Sequence, residues 1–180
     1  MIKNKQNYVI IVNEKDEWLG YVEKMQAHKE GLLHRAFSVF VMNNNNEILL
    51  QRRALDKYHS GGLWSNTCCS HPWVGESTMA AAHRRLVEEM GFDCELEKLF
   101  THKYKLGMDN GLFEHEYDHV YFGVYNGDLD INKDEVAEYK FVPINELDCW
   151  LEKRPMDFTA WFRLLWPEYC KQYLMSAKVA

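Results

Sequence analysis

The sequence predicts an α/β protein of the α+β kind, and three observations carry that reading. Short runs rich in β-branched and aromatic residues recur along the chain. One amphipathic helix in the middle of the sequence ends at a well-placed glycine, and two further helical stretches close the C-terminal part. Length and composition agree: 180 residues with 47% hydrophobic and 14% aromatic content allow a single domain, residues 1–180, with a substantial core.

Each element has its own justification. Residues 8–12 and 18–22 are short strand signals around the turn-like 13–16. Residues 36–42 and 47–53 flank four consecutive asparagines at 43–46, a hairpin signal because asparagine tolerates left-handed backbone. A loop rich in Gly, Trp and Ser is expected over 56–76. A helix is expected over 77–90, with Gly91 as its C-terminal cap. Within it Met79, His83, Leu86 and Met90 recur at helical spacing and are expected to face the core. Strands follow near 99–105, 116–125 and 138–142, then helices over 145–153 and 159–176, the last interrupted or kinked at Pro167.

Charge and cysteine usage narrow the function classes. A net charge of -6 speaks against a nucleic-acid binder. No apolar run approaches the roughly 20 residues that span a bilayer, and the first residues lack a secretory leader's apolar stretch. Five cysteines, an odd number at irregular spacing, read as reduced thiols of a soluble cytoplasmic protein. Two of them, Cys68 and Cys69, are adjacent, one residue before His71. A disulfide between neighbours is strained and closes almost no loop. Structural zinc sites space their cysteines by about two to four residues. What remains is a packed thiol beside a working one, or two packed thiols.

The helix is the most informative segment. Arg84 and Glu88, and Arg85 and Glu89, are four apart and can pair on its surface; alone, they would be solvated ion pairs. The spacing says more. Glu76, seven residues, then Arg84-x-Leu86-x-Glu88-Glu89-x-Gly91 resembles the signature of the Nudix family, whose acidic helix residues hold a divalent cation on a diphosphate. Ser70 stands where the family's first glycine belongs, and Arg85 stands where hydrolytic members carry a glutamate. Losing that carboxylate weakens activation of water, whereas an arginine adds charge for binding a diphosphate and leaving it intact.

A narrower resemblance covers nearly the whole chain. His34-Arg35-Ala36-Phe37, the stretches 52–57 and 64–72, and Glu114-His115-Glu116, in that order around the helix, resemble type I isopentenyl-diphosphate isomerases. The short N-terminus is similar to bacterial members and the doubled cysteine to eukaryotic ones. The resemblance implies a Nudix-like fold, with small mixed or antiparallel sheets and flanking helices enclosing a deep pocket. It implies interconversion of isopentenyl and dimethylallyl diphosphate in isoprenoid biosynthesis, by protonation at one carbon and deprotonation two carbons away.

Residue by residue, the resemblance gives Cys69 and Glu116 the proton transfers on opposite substrate faces, with Tyr104 bonded to the catalytic carboxylate. Which of the pair is the acid stays open. Lys24, Arg53, Lys57 and Arg85 match phosphate-contacting positions, and Trp161 matches an aromatic lid over the carbocation. His28, His34, His71, Glu114 and Glu116 match ligands of one Mn²⁺ or Zn²⁺, and Glu89 with the Cys69 backbone carbonyl matches an Mg²⁺ site. The residues themselves support part of this. On a strand, Glu114, Glu116 and Asp118 share a face with Val120, Phe122 and Val124, and carboxylates on a buried face demand partners or metal. Arg52 and Arg53, being adjacent, point to opposite faces, so one of them serves the pocket. His59, His83, His102, His115 and His119 are read as ordinary core or surface histidines. The implied partner is a small isoprenoid diphosphate, with no nucleic acid and no membrane insertion, for a monomer or homodimer. Two rivals predict different things. A Nudix hydrolase of a nucleoside diphosphate derivative is opposed by Ser70 and Arg85. A non-catalytic metal- or diphosphate-binding protein would not need Cys69, Tyr104 and Trp161 together.

Overall fold

A computed structural model describes residues 4–176. The chain opens with an antiparallel hairpin of β1 (Tyr8–Val12) and β2 (Trp18–Glu23). Then comes α1 (Lys24–Glu30), a helix absent from the sequence expectations. Seven residues are too few for a periodicity signal, so α1 rests on its ends. The Glu23 carboxylate accepts from the Gln26 N–H, and Gly31 closes the other end at φ 62°.

Strand β3 (His34–Met42) is the centre of the molecule. It leads through the asparagine turn into β4 (Glu47–Arg53), and Asn43 Oδ1 accepts from the Asn45 and Glu47 N–H groups to close that hairpin. The expected loop over 56–76 holds two short strands, β5 (Trp64–Ser65) and β6 (Cys68–Ser70), too brief to show a pattern. Helix α2 (Thr78–Met90) follows, then β7 (Leu96–Gly107), β8 (Phe113–Val124), β9 (Val136–Pro143), α3 (Ile144–Lys153) and α4 (Ala160–Ser176). Cross-strand bonding carries these strands beyond the propensity runs that suggested them. Pro167 lies inside α4 without interrupting it.

Strand pairing decides where the site forms. Along one edge β3 runs parallel to β8, with His34 opposite Glu116 and Ser38 opposite Val120. Along its other edge it meets β1, then β6 at Ser38–Cys69, then β4 at Met42–Ile48. β7 extends the sheet from β8, placing Tyr104 opposite Glu116. β9 and β5 extend it from β4. The expected small sheets are therefore one connected mixed network.

Two apolar cores lie on opposite faces. Phe37, Val39, Val41 and Cys68 pack with Ala81, Ala82, Leu86 and Met90 of α2. On the other face Phe40, Met42 and Val120 pack with Phe162, Leu165, Trp166 and Tyr169 of α4, where Phe40 and Tyr169 stack at 4.4 Å. His83 is a correction: it sits half-exposed on the flank of α2 with Nδ1 2.6 Å from Asp93 Oδ1. The apolar stripe is centred on Ala82 and Leu86, which turns His83 out of the core. Gly91 caps α2 as read, at φ 75°, and at the other end Ser77 lies just outside the helix as its N-cap, its Oγ accepting from the Ala80 N–H. A Cβ at Gly91 would lie 2.2 Å from the Asp130 carbonyl oxygen, so the position excludes any other residue on two counts. Among the described residues no helix is long and apolar enough to cross a membrane.

Candidate active site

Neighbouring residues on a strand point to opposite faces, and β6 applies this to the doubled cysteine. Cys68 is fully buried in the core under α2, while Cys69 faces a cavity of about 320 Å³. Cys69 belongs to a strand and not to the loop expected for it. Tyr104 and Glu116 line the same cavity, brought there by β7 and β8. The Tyr104 hydroxyl donates to Glu116 Oε2. Burial pushes the Cys69 thiol up to about 12, against the Arg53 charge that pulls it down, so it is a neutral thiol. Burial, reinforced by the Glu114 and Asp118 charges, also raises Glu116 well above the usual carboxylate range.

Four cationic residues line the same cavity. Lys24 starts α1, Arg53 ends β4, Lys57 follows in the loop, and Arg85 comes from α2. Arg52 instead bonds the Gly62 carbonyl and faces Glu138, so Arg53 is the one that serves the pocket. Two of these cations, Lys57 and Arg85, are paired with carboxylates. Arg85 bonds Glu88 at 2.8 Å and Glu89 at 3.0 Å, and its Nη2 lies 3.1 Å from Glu135 Oε2, the oxygen that also accepts from Lys57. Glu89 accepts from Gln51 Nε2 through its second oxygen. The Arg84 guanidinium is bidentate on Glu76 and lies 3.7 Å from the Trp73 ring centroid, bracing the loop before α2. Trp161, at the start of α4, ties its indole N–H to Ser65 Oγ at 3.0 Å, and the Arg53 guanidinium lies 5.1 Å from its ring centroid.

Behind the cavity sit His28 and His34, fully buried, with His71 and Glu114 at its wall. One potential ligand atom from each of these four lies within 4.8 Å of the others. Their outer contacts show what the inner atoms await. His28 Nδ1 donates to the Lys24 carbonyl at 2.7 Å and His34 Nδ1 to the Leu32 carbonyl at 2.8 Å, which turns the bare Nε2 of each inward. His34 Nε2 then faces His71 Nε2 at 3.1 Å, and His28 Nε2 faces Glu114 Oε2 at 3.3 Å. His28 Nε2 and Glu114 Oε2 are both buried without a hydrogen-bond partner. Burial lowers His34 to about 4, keeping that ring neutral as a metal ligand requires. Burial would raise Glu114, but contacts from His28 and His59 outweigh it and hold the carboxyl well below its usual range. Nitrogens and a carboxylate converging on one point fit a divalent metal. Glu116 stands at the edge of the group, with Oε1 3.0 Å from His71 Nε2 and 3.8 Å from His34 Nε2.

Comparison with known proteins agrees with this geometry. Residues 32–162 match the NUDIX domain family. Isopentenyl-diphosphate Delta-isomerase of Pectobacterium atrosepticum is 51% identical over 168 residues, covering 92% of this chain and 94% of that protein. Isopentenyl-diphosphate Delta-isomerase 2 of Aromatoleum aromaticum is 50% identical over 156 residues, 87% of this chain and 82% of its own. The chain belongs to the isopentenyl-diphosphate Delta-isomerase family of Nudix proteins. The MutT protein of Methanosarcina mazei shares the fold alone, with a TM-score of 0.65 at 18% identity over 78% of this chain and 95% of that one.

Within this isomerase-family fold, sequence reasoning missed three residues. His59 was read as ordinary, yet it is buried with Nε2 2.9 Å from Glu114 Oε1. Tyr58 beside it lies 5.4 Å from the Lys24 ammonium. Glu135 bridges two of the expected phosphate cations. Each acts through a partner far away in sequence, so no local spacing could reveal it. His119 is buried too, but bonds Asp16 at 3.0 Å away from the cavity, as a structural histidine would.

Proposed function

We propose that this chain interconverts isopentenyl and dimethylallyl diphosphate, acting as one Nudix-type domain in the cytoplasm. The observation that carries the reading is the joint lining of one cavity by Cys69, Glu116 with Tyr104, the cations Lys24, Arg53, Lys57 and Arg85, and Trp161. The reading of a reduced compartment draws on five cysteines that are all unpaired.

Lys24, Arg53, Lys57 and Arg85 receive the diphosphate, which competes with Glu135 for the last two. His28, His34, His71, Glu114 and Glu116 would hold one Mn²⁺ or Zn²⁺, and Glu89 with the Cys69 carbonyl would hold Mg²⁺ beside the diphosphate. Such ions, when bound, supply positive charge that neutralises the diphosphate and fixes the carboxylates around them. The chain's own side chains then handle the protons. One of Cys69 and Glu116 gives a proton to the terminal alkene carbon, leaving a tertiary cation at the branch carbon. The other, which must be in its deprotonated form (the ion, when bound, would favour that form for Glu116), takes a proton from the carbon next to the diphosphate-bearing carbon, and the double bond re-forms one position along. One proton enters and one leaves, so the substrate's formula is unchanged. The reverse reaction exchanges the two roles.

Magnitudes assign the work. A desolvated cation–π contact from Trp161 contributes about 2 kcal/mol, against roughly 8–23 kcal/mol for enzymic accelerations. Positioning and fixed electrostatics in a water-poor cavity supply the larger share. Hydrolysis is disfavoured because Arg85 occupies a helix position where Nudix hydrolases carry a carboxylate.

Incubation of the purified protein with isopentenyl diphosphate and Mg²⁺ tests this. Dimethylallyl diphosphate is expected without inorganic phosphate, and in deuterated water the label enters the allylic carbons. Activity is lost on chelation and returns with metal. Phosphate release without isomer identifies a hydrolase, and binding without turnover identifies a non-catalytic diphosphate binder.

A further inference from the structure

The imidazole of His59 touches three parts of the site at once. Its Nε2 lies 2.9 Å from Glu114 Oε1. Its ring meets Trp161 edge-on at 5.7 Å and Tyr58 edge-on at 4.5 Å. Its backbone carbonyl accepts from Arg53 Nη2 at 3.3 Å. An ionised carboxylate only accepts, so His59 Nε2 carries the proton. On the other side of the ring, Ser60 Oγ stands 3.3 Å from Nδ1. Ser60 adopts φ +52°, a conformation unusual for a non-glycine residue, which persists where the surroundings impose it.

The two oxygens of Glu114 are thereby made unequal. Oε1 is occupied by His59, while Oε2 is left buried without a hydrogen-bond partner, 3.3 Å from the bare nitrogen of His28. We propose that His59 is a positioning residue that selects Oε2 as the Glu114 oxygen offered to the metal and couples that carboxylate to the Trp161 wall and to Arg53. This rests on the metal reading of His28, His34, His71 and Glu114 given above. His59 itself lies outside that converging group, so its part is to orient the carboxylate and not to ligate.

The coupling explains why one loop serves two ends of the cavity. Arg53 and Lys57 bracket the diphosphate end, and the next two residues reach the metal wall. A carboxylate locked on one oxygen cannot swing away from its ion when the substrate enters, which keeps the neighbouring Glu116 at a constant distance from the metal charge.

The test uses metal-free full-length protein titrated with Co²⁺, read by its visible ligand-field spectrum and by competition with a chelator. His59→Phe keeps ring volume and edge packing but deletes the donor. It is expected to lower Co²⁺ affinity by about 10- to 100-fold and to alter the spectrum, as losses of outer partners of metal ligands do. His59→Gln keeps an N–H donor at a similar reach and is expected to restore most of the affinity and the wild-type spectrum. Ser60→Ala removes only the hydroxyl at Nδ1 and shifts the spectrum in the same direction, which keeps the test usable if the Phe variant fails to fold. Wild-type affinity and spectrum in a folded His59→Phe protein, or in Ser60→Ala where Phe does not fold, overturns the proposal. Equal loss in the Phe and Gln variants also overturns it, because packing would then be the cause. Wild-type protein that fails to bind Co²⁺ tightly overturns the metal reading itself, whereas normal wild-type binding with unaffected variants overturns only the role of His59.

Discussion

The two faces of the central sheet are built from the same strands and do opposite things. Toward α2, Phe37, Val39, Val41 and Cys68 meet Ala81, Ala82, Leu86 and Met90, all at most 1% exposed. Toward the cavity, β3 offers His34 and Ser38, β6 offers Cys69, and β8 offers Glu114, Glu116 and Asp118 before turning apolar at Val120. The first face stabilises in proportion to the apolar area it removes from water, about 25 cal/mol per Å². The second buries carboxylates that cost free energy unless each finds a partner or an ion. Asp118 illustrates the strain. Fully buried, with Oδ2 accepting from Ser38 Oγ at 2.8 Å and Oδ1 left without a partner, it is raised by burial to about 7. The face toward α2 is apolar along its length, whereas the opposite face is apolar only under α4 and holds, beside that core, groups in states water would not allow.

This contrast is sharpest at the adjacent cysteines, and the largest effects are expected there. Cys69→Ala and Glu116→Gln should each lower kcat by about 10²- to 10⁴-fold or more, since each removes a proton-transfer group. Cys68→Ala should leave kcat near wild type and show itself as a small loss of thermal stability. Steady-state kinetics on the folded variants checks both. An inactive Cys68→Ala beside a normal Cys69→Ala would reverse the assignment of the two faces.

Next in size is the apolar face itself. Leu86→Ala should cost about 2–5 kcal/mol of stability through transfer and cavity terms, with kcat per folded molecule preserved. Denaturant unfolding alongside active-site titration separates the two quantities. A Leu86→Ala protein that is stable but slow would mean that the faces are mechanically coupled.

Arg85 lies where α2 reaches across to the cavity. Arg85→Glu breaks its bonds to Glu88, Glu89 and Glu135 and places repulsion at the diphosphate. KM should rise about 10- to 150-fold, the worth of one charge-assisted hydrogen bond of roughly 1.5–3 kcal/mol. An unchanged KM would remove Arg85 from diphosphate binding.

The smallest effect belongs to the brace outside both faces. Hydrogen bonds from Arg84 and from the Trp73 N–H, set against partial burial that would raise it, hold Glu76 below its usual pKa. A depressed folded pKa contributes stability above the unfolded value, about 4.3. That stability is lost as pH falls through the lower folded value. Glu76→Gln should therefore be less stable by under about 1 kcal/mol at pH 7, with the difference fading at acid pH. Unfolding midpoints against pH provide the check, and a difference that grows on acidification would contradict the sign.

How much of this was legible beforehand differs by element. The Gly91 cap of α2, the asparagine hairpin and the split of Arg52 from Arg53 are local consequences of backbone geometry, and they stand as read. Several blocks matched one family in order, and of the residues they marked, Cys69, Tyr104, Glu116, Lys24, Arg53, Lys57, Arg85 and Trp161 line one cavity. His83 was placed wrongly, and the contact of His59 with Glu114 was not foreseen. Periodicity cannot say where within a stripe the helix actually rests, so His83 was placed inward. Nothing beside His59 in sequence announces that Glu114 waits for it across the fold.

The sequence by itself determined the local grammar: strands by their β-branched and aromatic runs, a helix by its period and its C-terminal glycine, and, at the level of single residues, that Cys68 and Cys69 face opposite ways if they lie on a strand. Only the tertiary structure decided that they do lie on a strand, because β6 exists through its pairing with β3 and has no propensity long enough to stand alone. It decided equally that His34, Glu116 and Tyr104 form one row across β3, β8 and β7. The reason is physical. Hydrogen-bond register between strands distant in sequence is set by which hydrophobic faces must be buried together, and a one-residue slip would turn every one of those side chains to the other side.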